Sequence, residues 1–179
     1  TTDHGVALPF NKCNLTDSGI GVSLIMRVPG AKANGQVIDA LVSHVDVMPT
    51  LCDLLQMEKP DYLEGTSFAE VFEDISAEPV SEIFAEVNFH TSYEPIRCVR
   101  TRRYKYIRYY DESWTKLNLS NMDSSASKDF YMRNDLAAQT KDTEALYDCY
   151  YDPDERKNLA QDPRYQEILE DLREKLRTF

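Results

Sequence analysis

Apolar residues near the end of the chain recur with a helical period. Tyr165, Ile168, Leu169, Leu172 and Leu176 share one face, while Glu167, Asp171, Lys175 and Arg177 fall opposite. Asp162 and Pro163 supply the start signals, a capping carboxylate and a ring whose fixed φ suits a first turn. The stripe predicts a C-terminal helix lying with that face on a sheet. The strands for such a sheet are written upstream. Ser81 to Val87 alternates, and Ile96 to Tyr110 is rich in β-branched and aromatic residues and reads as a hairpin turning near Arg102 and Arg103. Ala145 to Tyr151 predicts a further strand. Earlier, the apolar run Val22 to Val28, with Gly and Pro at its borders, reads as a buried strand. Val45 to Leu55 reads as a helix that Asp46 can cap and that tolerates Pro49 in its first turn, with a short helix to follow that Ser67 could cap. The acidic stretch Glu73 to Pro79 predicts a linker between two regions, and the polar stretch Asn118 to Lys128 predicts a surface loop.

Acidic residues outnumber basic ones, 31 to 20, for a formal charge of -11 and a pI near 4.7. That balance disfavours nucleic acid as a partner, and no apolar run approaches membrane-spanning length. The basic residues are concentrated in Arg97, Arg100, Arg102, Arg103, Lys105 and Arg108, which read either as a groove for an anion or as strand residues facing water. The 4 cysteines have irregular spacing with no CxxC or zinc pattern, so free buried thiols are expected. Asn14-Leu15-Thr16 and Asn118-Leu119-Ser120 match the glycosylation sequon, which matters only in a secreted eukaryotic protein.

Chemistry gathers at the front. Thr1-Thr2-Asp3-His4-Gly5 is followed closely by Lys12. Asp3 and His4 offer a carboxylate oxygen and an imidazole nitrogen to a divalent ion, and the Lys12 ammonium can neutralise an anion bound beside it. The alternative is a polar turn followed by a surface lysine.

The residues that follow make this chain resemble the C-terminal half of a sulfatase catalytic domain, in the alkaline-phosphatase-like superfamily. The matching positions are Asp3-His4-Gly5, Lys12, Asp17, Gly19, Pro29-Gly30, Val45-Asp46 and Pro49-Thr50-Leu51. Gly65-Thr66-Ser67-Phe68, the run Arg97 to Ile107, Leu146-Tyr147-Asp148, Asp152-Pro153-Asp154-Glu155 and Asn158-Leu159-Ala160 continue the series in the expected order. Lys12-Cys13 before an Asp-x-Gly loop, Phe89-His90 and Tyr93-Glu94-Pro95-Ile96-Arg97 are similar to the heparan N-sulfatase (sulfamidase) group. The resemblance implies an α/β fold: residues 1–75 as the end of the catalytic domain, and residues 80–179 as a small α+β subdomain whose antiparallel sheet is packed by the C-terminal helix.

It also implies an activity, hydrolysis of sulfate esters or N-sulfate groups on a sulfated small molecule or glycan. Asp3 and His4 would hold a divalent metal, Ca2+ or alternatively Mn2+, with His4 also near the sulfate. Lys12 would contact the sulfate and stabilise the leaving atom, and His90 and Arg97 would meet the sugar. His4 stands where many arylsulfatases have asparagine, which leaves the choice of metal open. The family's nucleophile is a formylglycine made within a Cys/Ser-x-Pro-x-Arg motif, and none of Cys13, Cys52, Cys98 or Cys149 begins that pattern. The resemblance therefore implies a partner, the N-terminal part of the same catalytic domain. These residues alone are expected to turn nothing over, with Thr1 to Lys12 poorly ordered when studied by themselves. A secreted, periplasmic or lysosomal parent fits the family.

Other readings stay open. A phosphonate or phosphodiester hydrolase of the same superfamily would use the same loop, and a non-enzymatic acidic module would use it only as a turn. His90 also reads as a partly buried structural histidine, and Arg97 as a strand residue paired to an acid such as Glu94. His44 reads as structural, and Trp114 as an aromatic plug on the small sheet rather than a sugar platform.

Overall fold

The computed structural model describes residues 1–179. Its helices are α1 (Asp17–Ile20), α2 (Val47–Leu54), α3 (Ala126–Arg133) and α4 (Gln166–Thr178), and its strands are β1 (Glu82–Phe89), β2 (Tyr93–Thr101), β3 (Tyr104–Tyr109) and β4 (Glu144–Asp148). The strands form one sheet in the order β1-β2-β3-β4. Thr1–Leu24 and Phe84–Phe179 make one compact unit, and Ile25–Ile83 makes the other. The first residues of the chain therefore pack with the C-terminal sheet.

Strand periodicity gives that sheet two different faces. In the antiparallel register Val99 lies opposite Tyr106 and Tyr106 opposite Leu146, a row that points to one side. The predicted stripe of α4 covers it: Leu169, Leu172 and Leu176 join Val99, Tyr106, Leu146, Leu159 and Ala160 in one buried cluster. Each such leucine contributes about 1.5–3 kcal/mol by leaving water. On the other face Ile96, Cys98 and Ile107 are covered by Leu15, with Ile20 of α1 packed at the edge.

The hairpin turns at Arg102 and Arg103 as the pattern predicts. Most of its cations are held in ion pairs. Arg97 pairs with Glu86 at 3.1 Å, Arg100 with Asp17 at 3.2 Å, Arg103 with Asp148 at 2.7 Å and Arg108 with Glu112 at 2.5 Å. Lys105 is wholly buried between Asp17 and Glu155. Burial by itself would raise the Asp17 carboxyl, but the Lys105 ammonium and the Arg100 fork outweigh it and hold Asp17 below its ordinary range. Glu155, desolvated more completely, is pushed up instead.

Asp148 ends β4 and accepts two nitrogens of Arg103, whose guanidinium lies between the rings of Tyr104 and Tyr151. The Arg103 hydrogen bonds hold this carboxyl below its usual 3.8 despite burial, so it adds stability above that pH and loses it as pH falls through the lowered value. Denaturant midpoints of the native chain should therefore drop on acidification below 3.8, and Asp148→Asn, weaker at neutral pH, should show the smaller drop over the same interval. Equal slopes would remove the pair from the acid response.

In the second unit, Asp46 does not cap α2 through its side chain. Its carboxylate turns back to accept from the backbone of Ser43, 2.7 Å, and of Thr66, 2.7 Å, across a 3-10 turn opened by His44. Thr50 Oγ1 donates to Asp46 O and accepts from Phe68 N, which fastens α2 to the short 3-10 helix Ala69–Phe72.

Several expectations are corrected. Val22 to Val28 forms no strand, and Ile25 stands 89% exposed. An apolar run sets extended backbone, yet a strand also needs a neighbour to accept its hydrogen bonds. The polar stretch from Asn118 is not a plain loop: a 3-10 turn covers Leu119–Asn121, and α3 begins at Ala126, where Ser125 Oγ accepts from Lys128 N. The last strand stops at Asp148 rather than Tyr151. Trp114 is 51% exposed and plugs nothing. Cys52 and Cys98 are buried and Cys13 and Cys149 half-buried, all as free thiols.

Candidate active site

The front loop folds back on α1. Gly5 N donates to Gly19 O at 2.9 Å and Val6 N to Ser18 O at 3.2 Å. Only glycine fits at position 5, since a Cβ there would stand 2.2 Å from Ser18 O. That close approach positions the two residues before it. His4 Nδ1 lies 2.6 Å from Gly5 O. A carbonyl can only accept, so Nδ1 is the donor in this contact. Nε2 is the nitrogen facing Asp3 Oδ2, at 3.9 Å.

The pair is solvent-facing, with the Asp3 side chain 92% exposed. One imidazole nitrogen and one carboxylate suit a divalent cation, and a carbonyl against the other ring nitrogen orients the imidazole. Two ligands do not complete a shell, and no cluster of three or more His, Cys, Asp or Glu side chains forms around them. Asp3 and His4 could supply two of the donors that a divalent ion needs.

Lys12 is placed differently. Its ammonium meets Asp123 Oδ2 at 3.1 Å, in a narrow pocket lined by Phe10, Glu94, Asn121 and Lys141. Within it Glu94 pairs with Lys141, each side chain 9% exposed, and the Lys141 ammonium lies 4.6 Å from the centre of the Tyr109 ring. Glu94 is therefore the partner of Lys141, and the acid on Arg97 is Glu86.

His90 sits exposed in the turn between β1 and β2, its N–H bonded to Ser92 O at 3.3 Å. It is not the half-buried structural histidine of the alternative reading. Arg97 lies on β2 beside an open groove of about 390 Å³, lined with Asn88, Tyr93, Pro95, Tyr110 and Asp111. Glu86 engages its Nε and the Tyr110 ring lies 5.5 Å from Cζ. The structure thus brings Asp3 to His4, and Lys12 to Asp123. Asp123, Asn121 and Lys141 near Lys12 carry no motif, and only their density of polar side chains could have marked them.

The four-stranded antiparallel sheet, its packing helix and the front loop define the C-terminal portion of an alkaline-phosphatase-like sulfatase fold. A solved 2-O GAG sulfatase superposes with a TM-score of 0.65 at 30% identity, over 94% of this chain and 31% of that one. The family model described as N-sulphoglucosamine sulphohydrolase, C-terminal, matches residues 3–142, and the chain belongs to that family. Human N-sulphoglucosamine sulphohydrolase is 31% identical over 98% of this chain and 39% of its own length. An ulvan-active sulfatase of Formosa agariphila is 32% identical over 97% of this chain and 31% of its own length. The chain thus spans about a third of the length of such relatives.

Proposed function

We propose that these residues form the C-terminal part of a sulfatase that removes sulfate from a sulfated sugar, as an ester or an N-sulfate. Residues 1–75 close its catalytic domain and residues 80–179 form its α+β subdomain. The formylglycine nucleophile and the remaining metal ligands belong to the N-terminal part of that domain, so the 179 residues alone release no sulfate.

The observation that supports the reading is the front loop, where His4 Nδ1 meets Gly5 O and Nε2 faces the Asp3 carboxylate. Asp3 and His4 would hold Ca2+, or Mn2+ as the softer alternative. A divalent ion there supplies Lewis-acid charge to the sulfuryl oxygens. Lys12 donates to the same group and stabilises charge on the leaving atom. His90 and Arg97 meet the sugar, Arg97 through the terminal nitrogens that Glu86 leaves over, a fork suited to a carboxylate or second sulfate.

Calorimetry of the whole polypeptide with Ca2+ and Mn2+, beside sulfate release from N-sulphoglucosamine and from ester-sulfated oligosaccharides, tests this. Asp3→Ala and His4→Ala should each weaken metal binding by at least about tenfold. Chelation should stop sulfate release and added metal should restore it. Native metal affinity in His4→Ala sinks the loop's role. Phosphonate cleavage without sulfate release moves the protein to the phosphonate hydrolases, and neither metal binding nor hydrolysis leaves an acidic binding module.

A further inference from the structure

Asn121 and Asp123, two residues apart in sequence, each hold one of the two loops that carry candidate contacts. Asn121 is 5% exposed. Its Oδ1 accepts from Thr91 N at 3.0 Å and Ser92 N at 3.1 Å, and its Nδ2 donates to Glu94 Oε2 at 3.4 Å. Ser92 Oγ adds contacts to Asn118 at 2.9 Å and Ser120 at 2.7 Å. The turn that begins at His90 is thus clamped by side chains outside the strand ladder. On the other side Asp123 takes the Lys12 ammonium, and the Tyr131 ring of α3 stands edge-on to Phe10, centroids 5.3 Å apart. The segment is itself stiffened. Lys128 Nζ donates to Leu119 O and Met122 O, 2.7 Å each, and Ser125 caps α3.

We propose that residues 118–131 are a positioning element that sets the Lys12 ammonium and the His90 turn relative to one another. An ammonium has three N–H groups, so Asp123 can orient Lys12 with one and leave the others for sulfuryl oxygens. Asn121 saturates two backbone N–H groups of the neighbouring turn, so His90 is presented rather than left to wander. One short segment then governs both the anion contact and the sugar contact. The proposal rests on Lys12 and His90 being those contacts.

The test uses the whole polypeptide with two substrates: 4-methylumbelliferyl sulfate, which has no sugar, and a sulfated oligosaccharide from heparan or ulvan. Asp123→Ala should lower kcat on both by about tenfold, with partial rescue in Asp123→Glu. Asn121→Ala should raise KM for the oligosaccharide by about tenfold and leave the aryl sulfate nearly unchanged. Should Asn121→Ala fold poorly, Asn121→Ser is read by amide exchange, with Thr91 and Ser92 expected to lose protection while the front loop keeps its own. Equal losses on both substrates in both variants, or no loss, would reduce the segment to a structural part and leave the sulfatase reading standing. A native protein that hydrolyses neither substrate overturns that reading, and the proposal with it.

Discussion

Truncating Lys12 to alanine in the whole polypeptide is expected to lower kcat for sulfate release by about 10²–10³, the loss of about 2.7–4 kcal/mol typical of removing one preorganised donor. KM should move little, because charge builds on the leaving atom mainly in the transition state, where the ammonium earns its effect. The geometry favours a large change. The Lys12 side chain is 24% exposed and oriented by Asp123, so its position is fixed before substrate arrives. Arginine should rescue poorly, since its planar fork cannot reproduce a compact ammonium. Single-turnover sulfate release is the measurement, and an alanine variant turning over at the native rate would falsify the role proposed for Lys12.

The second large effect is on stability. Lys105 is 0% exposed, with the carboxylates of Asp17 and Glu155 against its ammonium. Lys105→Ala strands Glu155, whose side chain is 2% exposed, without its cation, and the expected cost is about 3–5 kcal/mol. Asp17 is less affected because Arg100 still holds it. An apolar replacement of the inner pair, Lys105→Met with Glu155→Leu, should recover most of the loss, since a buried ion pair is rarely worth more than well-packed hydrocarbon. Urea unfolding separates the outcomes. A cost below about 1 kcal/mol for Lys105→Ala would mean that water reaches the cluster.

Periodicity made much of the sheet and its helix legible. The Leu169, Leu172 and Leu176 stripe specified α4, and β-branched and aromatic alternation specified the hairpin, because both are local consequences of one buried face. The failures occur where structure depends on a partner. Val22 to Val28 carries a strand's composition, but pairing is a property of two segments. α3 has no buried residue, so it lacks the stripe that periodicity detects, and its signal was the Ser125 cap. The cations of the hairpin were visible, but the acids on two of them lie far along the chain: Asp17 is 83 residues from Arg100 and Asp148 is 45 from Arg103. The site divides the same way. Asp3, His4 and Lys12 sit in a compact pattern, while Asp123 reaches Lys12 across 111 residues with no spacing to announce it.

The thiols bear on how the chain meets oxidants. Burial pushes Cys98 to about 12 and Cys149 to about 11, and it raises Cys13 as well. Attack by sulfur requires the anion, so at neutral pH these groups are poor nucleophiles towards peroxide or glutathione disulfide. The sheet is held by apolar packing and ion pairs, and Cys98 serves it as a buried apolar residue beside Ile96 and Ile107.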